Sequence, residues 1–216
     1  PLLKAGDPSS PLSYRPISIT SPICKTLERI ICREIQNFLS ANDLLPQCQH
    51  GFLPKHSVTG ALLECLDTWT SSLDTRSNTD VILFDISKAF DTVPHSRLLN
   101  KLSSIGIQGH LLKWIKAYLS FRHFVVQSDG SFSNPRSVPS GVLQGSCLGP
   151  LLFLIYIADL PAYCSVPGVI LKLFADDLKA FTTHNNQRAA TDALQIVISL
   201  VVEWCALNGL SLNISK

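Results

Sequence analysis

The chain has 216 residues, 46% of them hydrophobic and 16% charged, with a net charge of +2. That composition excludes a disordered chain and suits one domain, or one domain with a smaller lobe, burying about 70% of its unfolded surface. The longest uninterrupted apolar run, Leu151 to Ala158, is far short of the ~20 residues that cross a bilayer, so no membrane partner is expected.

No secretory signal is visible and no methionine occurs, so the sequence reads as a fragment of a longer chain. The cysteines, at positions 24, 32, 48, 65, 147, 164 and 205, are irregularly spaced. They form neither a paired CxxC zinc site nor a disulfide scaffold. Most lie in apolar patterns, as reduced cysteines do, which points to a reducing compartment.

Residues 1–20 are rich in Pro and Ser and are expected to be extended or looped. Ser21-Pro22 has the form of an N-cap and first turn, and Leu27, Ile30, Ile31, Ile35, Phe38 and Leu39 carry a helix to about Ser40. QHGFLPKHS (49–57) is polar and loop-like. A second helix follows with Val58, Leu62, Cys65, Leu66 and Trp69 on one side.

Val81 to Ile86 is a short, apolar, β-branched run expected to be a buried strand, with Asp85 near its end. Helices are predicted over about 96–105, closed by Gly106, and 110–120. Phe124 to Gln127 and Arg136 to Val138 read as strands joined through a turn at Gly130. Between Thr92 and Ser128 there is no acid, while Arg97, Lys101, Lys113, Lys116 and Arg122 are basic. They are candidate phosphate-backbone contacts, or else the solvated faces of two amphipathic helices.

A Gly/Ser loop at 140–149 leads into a helix with Pro150 near its first turn. Ile170 to Phe174 and Leu178 to Phe181 form a predicted hairpin with Asp176 and Asp177 at its tip. A long helix from about Arg188 to Leu207 stops at Asn208-Gly209, and Leu210 to Ile214 begins another strand. Strands mixed irregularly with helices give an α+β fold.

A carboxylate at the mouth of a buried strand is unfavourable unless compensated. If Asp85, Asp176 and Asp177 lie within ~4 Å of one another, each ionised pair repels by about 4 kcal/mol at an effective dielectric of ~20. Protons or divalent cations must offset this, and hard carboxylate oxygens without a His or Cys cluster select Mg2+ or Mn2+. An Asp-Asp pair is also an ordinary turn sequence.

Taken in order, FDISKAF (84–90), SGVLQGSCLGPLLF (140–153) and FADD (174–177) resemble motifs A, B and C of reverse transcriptases. YRPIS (14–18) and QHGF (49–52) resemble the upstream finger motifs, and WCALNGLSLNISK (204–216) resembles motif D. DxSKAFDxVPH and GxxLGPLLFLIYIxDLP are most similar to non-LTR, LINE-like retrotransposons. Leu143 stands where relatives usually have Pro, and Leu53 where a basic residue is common.

The resemblance implies a right-hand polymerase fold, with residues 1–80 mainly fingers, 81–216 mainly palm, a fingers-side insertion near 110–140, and the thumb absent. It implies RNA-directed DNA polymerase activity, in which a primer 3′-hydroxyl attacks a dNTP on an RNA template. Asp85, Asp176 and Asp177 would hold two Mg2+ ions with the Ile86 carbonyl, and Lys216 would donate a proton to pyrophosphate. Phe90 would select the sugar, Gln144 and Gly145 would pack on nucleotide and template, and Arg15 and Lys55 would meet the triphosphate. An endonuclease in the same polyprotein and nuclear action are implied by the family alone. Two alternatives remain: a degenerate copy that binds nucleic acid without turnover, and an RNA-dependent RNA polymerase.

Overall fold

The computed structural model describes residues 2–4, 6–10, 13–128 and 130–213. In chain order the first elements are β1 (Leu2–Leu3), β2 (Tyr14–Arg15), α1 (Pro22–Ala41), α2 (Val58–Asp74), β3 (Asn78–Phe84), α3 (Ala89–Thr92), α4 (His95–Ser104) and α5 (Gly109–Leu119). Then come β4 (His123–Phe124), β5 (Gln127–Ser128), β6 (Ser131–Phe132), β7 (Arg136–Ser137), α6 (Leu148–Ile157), α7 (Leu160–Tyr163), β8 (Ile170–Phe174), β9 (Asp177–His184) and α8 (Gln187–Leu207). Two compact units result: Pro1–Ala41 with Phe90–Ile155, and Asn42–Ala89 with Tyr156–Lys216.

In the first unit, α1 starts where the Ser21 hydroxyl accepts the Cys24 N–H at 3.2 Å, with Pro22 in the first turn, where its missing N–H is harmless. Its buried stripe, Glu28, Cys32, Ile35 and Leu39, repeats at helical spacing. Helices α4 and α5 pack on each other, burying Leu98, Leu102, Ile115 and Leu119. The turn between them uses Gly106 at φ +99°, a backbone state open to glycine.

The strand expected over Phe124–Gln127 is split into β4 and β5. β4 pairs with β7 (Phe124↔Arg136) and β5 with β6 (Gln127↔Phe132), so three residues on the return strand face two on the outgoing one. Pro135, which has no N–H for a ladder, lies in that extra stretch. The Ser133 hydroxyl accepts the Val126 N–H at 2.9 Å and so replaces one rung.

Every residue of α6 except Pro150 is buried, as its uniformly apolar sequence requires.

In the second unit, β3, β9 and β8 form an antiparallel sheet with β9 in the centre. β3 starts earlier than its apolar core: Asn78, Thr79 and Asp80 pair with His184, Thr183 and Thr182. Helix α2 packs on the sheet through Trp69, edge-on to Phe181 at 5.8 Å between ring centroids, and through Ser72, whose hydroxyl lies 2.8 Å from that of Thr79. Helix α8 packs on β9 with Ala190, Leu194, Val197, Val201 and Trp204 buried.

Asn186 caps α8 by accepting the N–H groups of Arg188 and Ala189, and Gly209 ends it at φ +67°. The β-branched run 196–202 is helical because its buried face outweighs a modest propensity deficit. By length and composition α8 also meets the requirement for a membrane span, although polar residues interrupt its apolar runs. Here one of its faces belongs to the core of the unit.

Past α8, the expected strand is represented among the described residues by one antiparallel bridge, Ile86↔Leu212. Ile214 lies outside them.

Candidate active site

The sheet of the second unit brings its acids to one end. The last rung between β3 and β9 is Phe84↔Leu178. One residue beyond that rung on each chain segment stand Asp85 and Asp177, at the same end of the sheet. Asp177 is the first residue of β9, paired with Phe174, so the hairpin loop is Ala175-Asp176 alone. Asp85 and Asp176 are half-buried and Asp177 is exposed.

A two-residue hairpin needs a left-handed backbone in its loop, and Ala175 supplies it at φ +56° without being glycine. Its neighbours explain how. The Gln49 side chain accepts the Ala175 N–H at 2.9 Å and donates to the Ala175 carbonyl at 3.3 Å. The QHGF segment is thus no free loop. Gln49 bridges Leu173 in parallel, with His50 N–H to Leu173 O and Leu173 N–H to Cys48 O both at 2.8 Å.

On the other side of Asp85, Asn213 donates from its side chain to the Asp85 carboxylate, and Ser87 N–H donates to Ser211 O at 2.8 Å. Asp85 and Ser87 therefore direct their backbone groups toward residues 211–213. Ile86, between them and bridged to Leu212, directs its own N–H and carbonyl away from residues 211–213.

The Gly/Ser loop and Phe90 belong to the first unit. Gln144 donates from Nε2 to Asp91 Oδ1 at 2.9 Å, and its carbonyl accepts Ser18 N–H at 2.8 Å. A Cβ on Gly145 (φ +92°) would stand 2.8 Å from Ser18 O, so its glycine is required by the chain's own backbone. The loop is fixed at its far end by Glu28, fully buried, whose Oε2 accepts Cys147 N–H at 2.7 Å and Leu148 N–H at 3.1 Å. Phe90 is half-buried and stacks on Phe153, with ring centroids 4.3 Å apart.

Arg15 is exposed at the end of β2, and Lys55 is exposed in the loop before α2 at φ +66°. Arg97 and Lys101 stand on α4 and Lys113 and Lys116 on α5. The two α5 lysines line a groove with Ser96, Asn100 and Ser103. Arg122 turns back onto its own unit, 4.4 Å over the Tyr118 ring. Lys216 lies outside the described residues. All seven cysteines are free, and burial pushes the thiols of Cys32 and Cys164 up to about 12 and that of Cys205 to about 11, which suits packing rather than reactivity.

Among the described residues no three His, Cys, Asp or Glu side chains form a metal cage. The oxygen donors at the sheet end nevertheless fit Mg2+, which is commonly held by one or two carboxylates together with water and substrate phosphates. Gln49 and Asn213 escaped the sequence reading as contacts because each meets its partner across more than a hundred residues (|i−j| 126 and 128). The signal available was their position inside the QHGF and NGLSLN motifs.

An antiparallel sheet backed by helices, with an acid pair at a hairpin tip, is the palm architecture of a right-hand polymerase. Solved structures agree. The telomerase of Candida albicans, solved with a TWJ fragment of telomeric RNA, matches with a TM-score of 0.64 over 88% of this chain and 34% of that one, at 13% identity. Apo telomerase from Candida tropicalis gives 0.63 over 89% and 36%, also at 13% identity.

The chain belongs to the reverse transcriptase (RNA-dependent DNA polymerase) family, whose model matches residues 3–216. It is 32% identical over 99% of its length to the probable RNA-directed DNA polymerase from transposon BS of Drosophila melanogaster. It is 33% identical over 100% of its length to the polymerase from mobile element jockey of Drosophila funebris. It covers 24% of each, so it spans about a quarter of the length of these non-LTR retrotransposon relatives.

Proposed function

We propose that this chain is the catalytic core of an RNA-directed DNA polymerase that joins dNTPs to a DNA primer on an RNA template. The observation that carries the reading is the meeting of motifs A and C, with Asp85 and Asp177 one step beyond the last β3–β9 rung and Asp176 in the adjoining turn.

Asp85, Asp176 and Asp177, with the Ile86 carbonyl, are the groups that would hold Mg2+ or Mn2+. When bound, such ions activate the primer hydroxyl and stabilise the leaving phosphate oxygen. The chain's own residues orient and select. Asn213 fixes the direction of the Asp85 carboxylate. Phe90 is assigned the exclusion of a ribose 2′-hydroxyl. Gln144, held by Asp91, and Gly145 present the nucleotide-facing loop. Arg15 and Lys55 supply positive charge for the triphosphate, and Lys216 is the candidate proton donor to pyrophosphate. Arg97, Lys101, Lys113, Lys116 and Arg122 are the candidate contacts to template and primer phosphates. We assign residues 1–80 mainly to the fingers and 81–216 mainly to the palm, with a fingers-side insertion near 110–140. An endonuclease elsewhere in the polypeptide is part of this reading.

Primer extension by the full-length protein tests it. Asp176→Asn is expected to abolish extension with the fold intact by circular dichroism, and extension unchanged by it would overturn the site.

A further inference from the structure

We infer that Gln49 is a positioning residue for the acid hairpin, holding Ala175 in its left-handed conformation so that Asp176 is presented in one direction. This rests on the proposed role of Asp176 as a metal ligand.

Gln49 is 2% exposed and uses both ends of its amide. Oε1 accepts the N–H of Ala175 at 2.9 Å and of Gly51 at 2.7 Å, while Nε2 donates to the Ala175 carbonyl at 3.3 Å. The two peptide groups that flank the Ala175 Cα are therefore both held by one side chain. The second of them is the peptide bond to Asp176. Ala175, at φ +56°, occupies a region that residues with a Cβ disfavour, and it has no cap of its own making. What keeps it there is external.

Gly51 supports the same contact from behind. A Cβ at that position would lie 2.2 Å from Ala175 N and 2.9 Å from its Cα, so the backbone at 51 is pressed against the hairpin. The backbone bridge Gln49↔Leu173 fixes the register of the segment along β8. Only glutamine meets the geometry. Asparagine is one methylene short, and glutamate would set an acceptor against the Ala175 carbonyl and a buried negative charge beside the acids. A residue that aims a metal ligand without touching the metal acts as an outer-shell partner, and loss of such partners weakens metal affinity.

The test uses the full-length protein with Gln49→Leu, Ala175→Gly, the double variant, and Asp176→Asn as control. Mn2+ binding is titrated by electron paramagnetic resonance without nucleotide. Half-saturating Mg2+ and KM for dNTP are measured in primer extension, and melting temperature reports the fold. Gln49→Leu is expected to weaken Mn2+ binding and raise half-saturating Mg2+ by about tenfold, with KM for dNTP at saturating Mg2+ changed less than about twofold. Ala175→Gly in the Gln49→Leu background should restore part of the metal affinity, because glycine adopts a positive φ without the Cβ penalty.

A Gln49→Leu protein with lowered melting temperature but wild-type metal affinity would reduce Gln49 to a packing residue and overturn the inference. So would a loss that Ala175→Gly leaves unrelieved. If Asp176→Asn itself binds Mn2+ as wild type does, the site assignment fails instead, independently of Gln49. Should Gln49→Leu not fold, Gln49→Met, similar in length, uncharged and with no donor toward Ala175, carries the same comparison.

Discussion

Asn213 donates from Nδ2 to Asp85 Oδ2 at 2.8 Å, and its backbone N–H donates to the Asp85 carbonyl at the same distance. A carboxylate at the end of β3 is thus aimed by a residue that follows α8. Asn213→Ala removes one oriented donor from a charged acceptor. It is expected to slow primer extension about tenfold, the equivalent of ~1.4 kcal/mol, with the melting temperature little changed. Asn213→Asp should be worse, since it faces one carboxylate with another. Equal rates in wild type and Asn213→Ala would separate this contact from catalysis.

Phe90 makes two readings compete on one side chain. Its ring stacks on Phe153 at 4.3 Å with an interplanar angle of 20°, yet it is only half-buried. Phe90→Val should cost about 1–2 kcal/mol of stability and also raise ribonucleotide incorporation sharply. Phe153→Leu removes the same stack and should leave sugar choice alone. The ratio of kcat/KM for dNTP and NTP decides. An unchanged ratio in Phe90→Val would assign the ring to packing.

Glu28 is a buried acid with no metal role. Its Oε2 satisfies two N–H groups at the start of α6, where the helix dipole favours negative charge, and Oε1 accepts the Cys24 thiol at 3.3 Å. Glu28→Leu leaves those donors buried and unmatched and should cost about 2–4 kcal/mol in urea denaturation. Glu28→Gln keeps one acceptor oxygen and should cost about half as much. Equal stability of the leucine variant and wild type would show that water reaches the helix start.

His50 gives the fold an acid limit. Burial lowers its pKa, an effect that the nearby Glu64 opposes and Lys172 and His56 reinforce. The folded state therefore binds fewer protons than the unfolded state between the lowered value and about 6.5, so stability rises with pH across that window. The contribution is complete above about 6.5 and is lost on acidification through the window. Melting temperature measured between about pH 8 and 5 should fall at the acid end, and His50→Gln should flatten that fall. A slope equally steep in the variant would place the titration elsewhere.

Much of this was legible in the residues. Helical spacing and the stops at Gly106 and Asn208-Gly209 located α1, α4 and α8, but the buried face of α1 was legible only in Ile35 and Leu39, since Leu27 and Ile30 are exposed and Glu28 and Cys32 are buried. The acid hairpin declared itself through apolar runs interrupted by two aspartates. What the sequence concealed is what depends on distant partners. Gln49 looks like loop because its neighbours are His, Gly and Pro, and nothing local announces a parallel bridge to Leu173. The polar start of β3 was invisible because Asn78 to Asp80 are strand only through pairing with the far end of β9. α3 and α7, at four residues each, are too short to show a period.

Each compact unit is woven from two separated stretches, and this governs how the chain can be made. A nascent polypeptide that has left the ribosome as far as Ile155 holds all of the first unit, but only α2 and β3 of the second. Until β9 is synthesised, β3 exposes a row of unsatisfied N–H and C=O groups along its whole length, a template for other chains. Products of premature termination in this interval should therefore aggregate rather than persist as a soluble half.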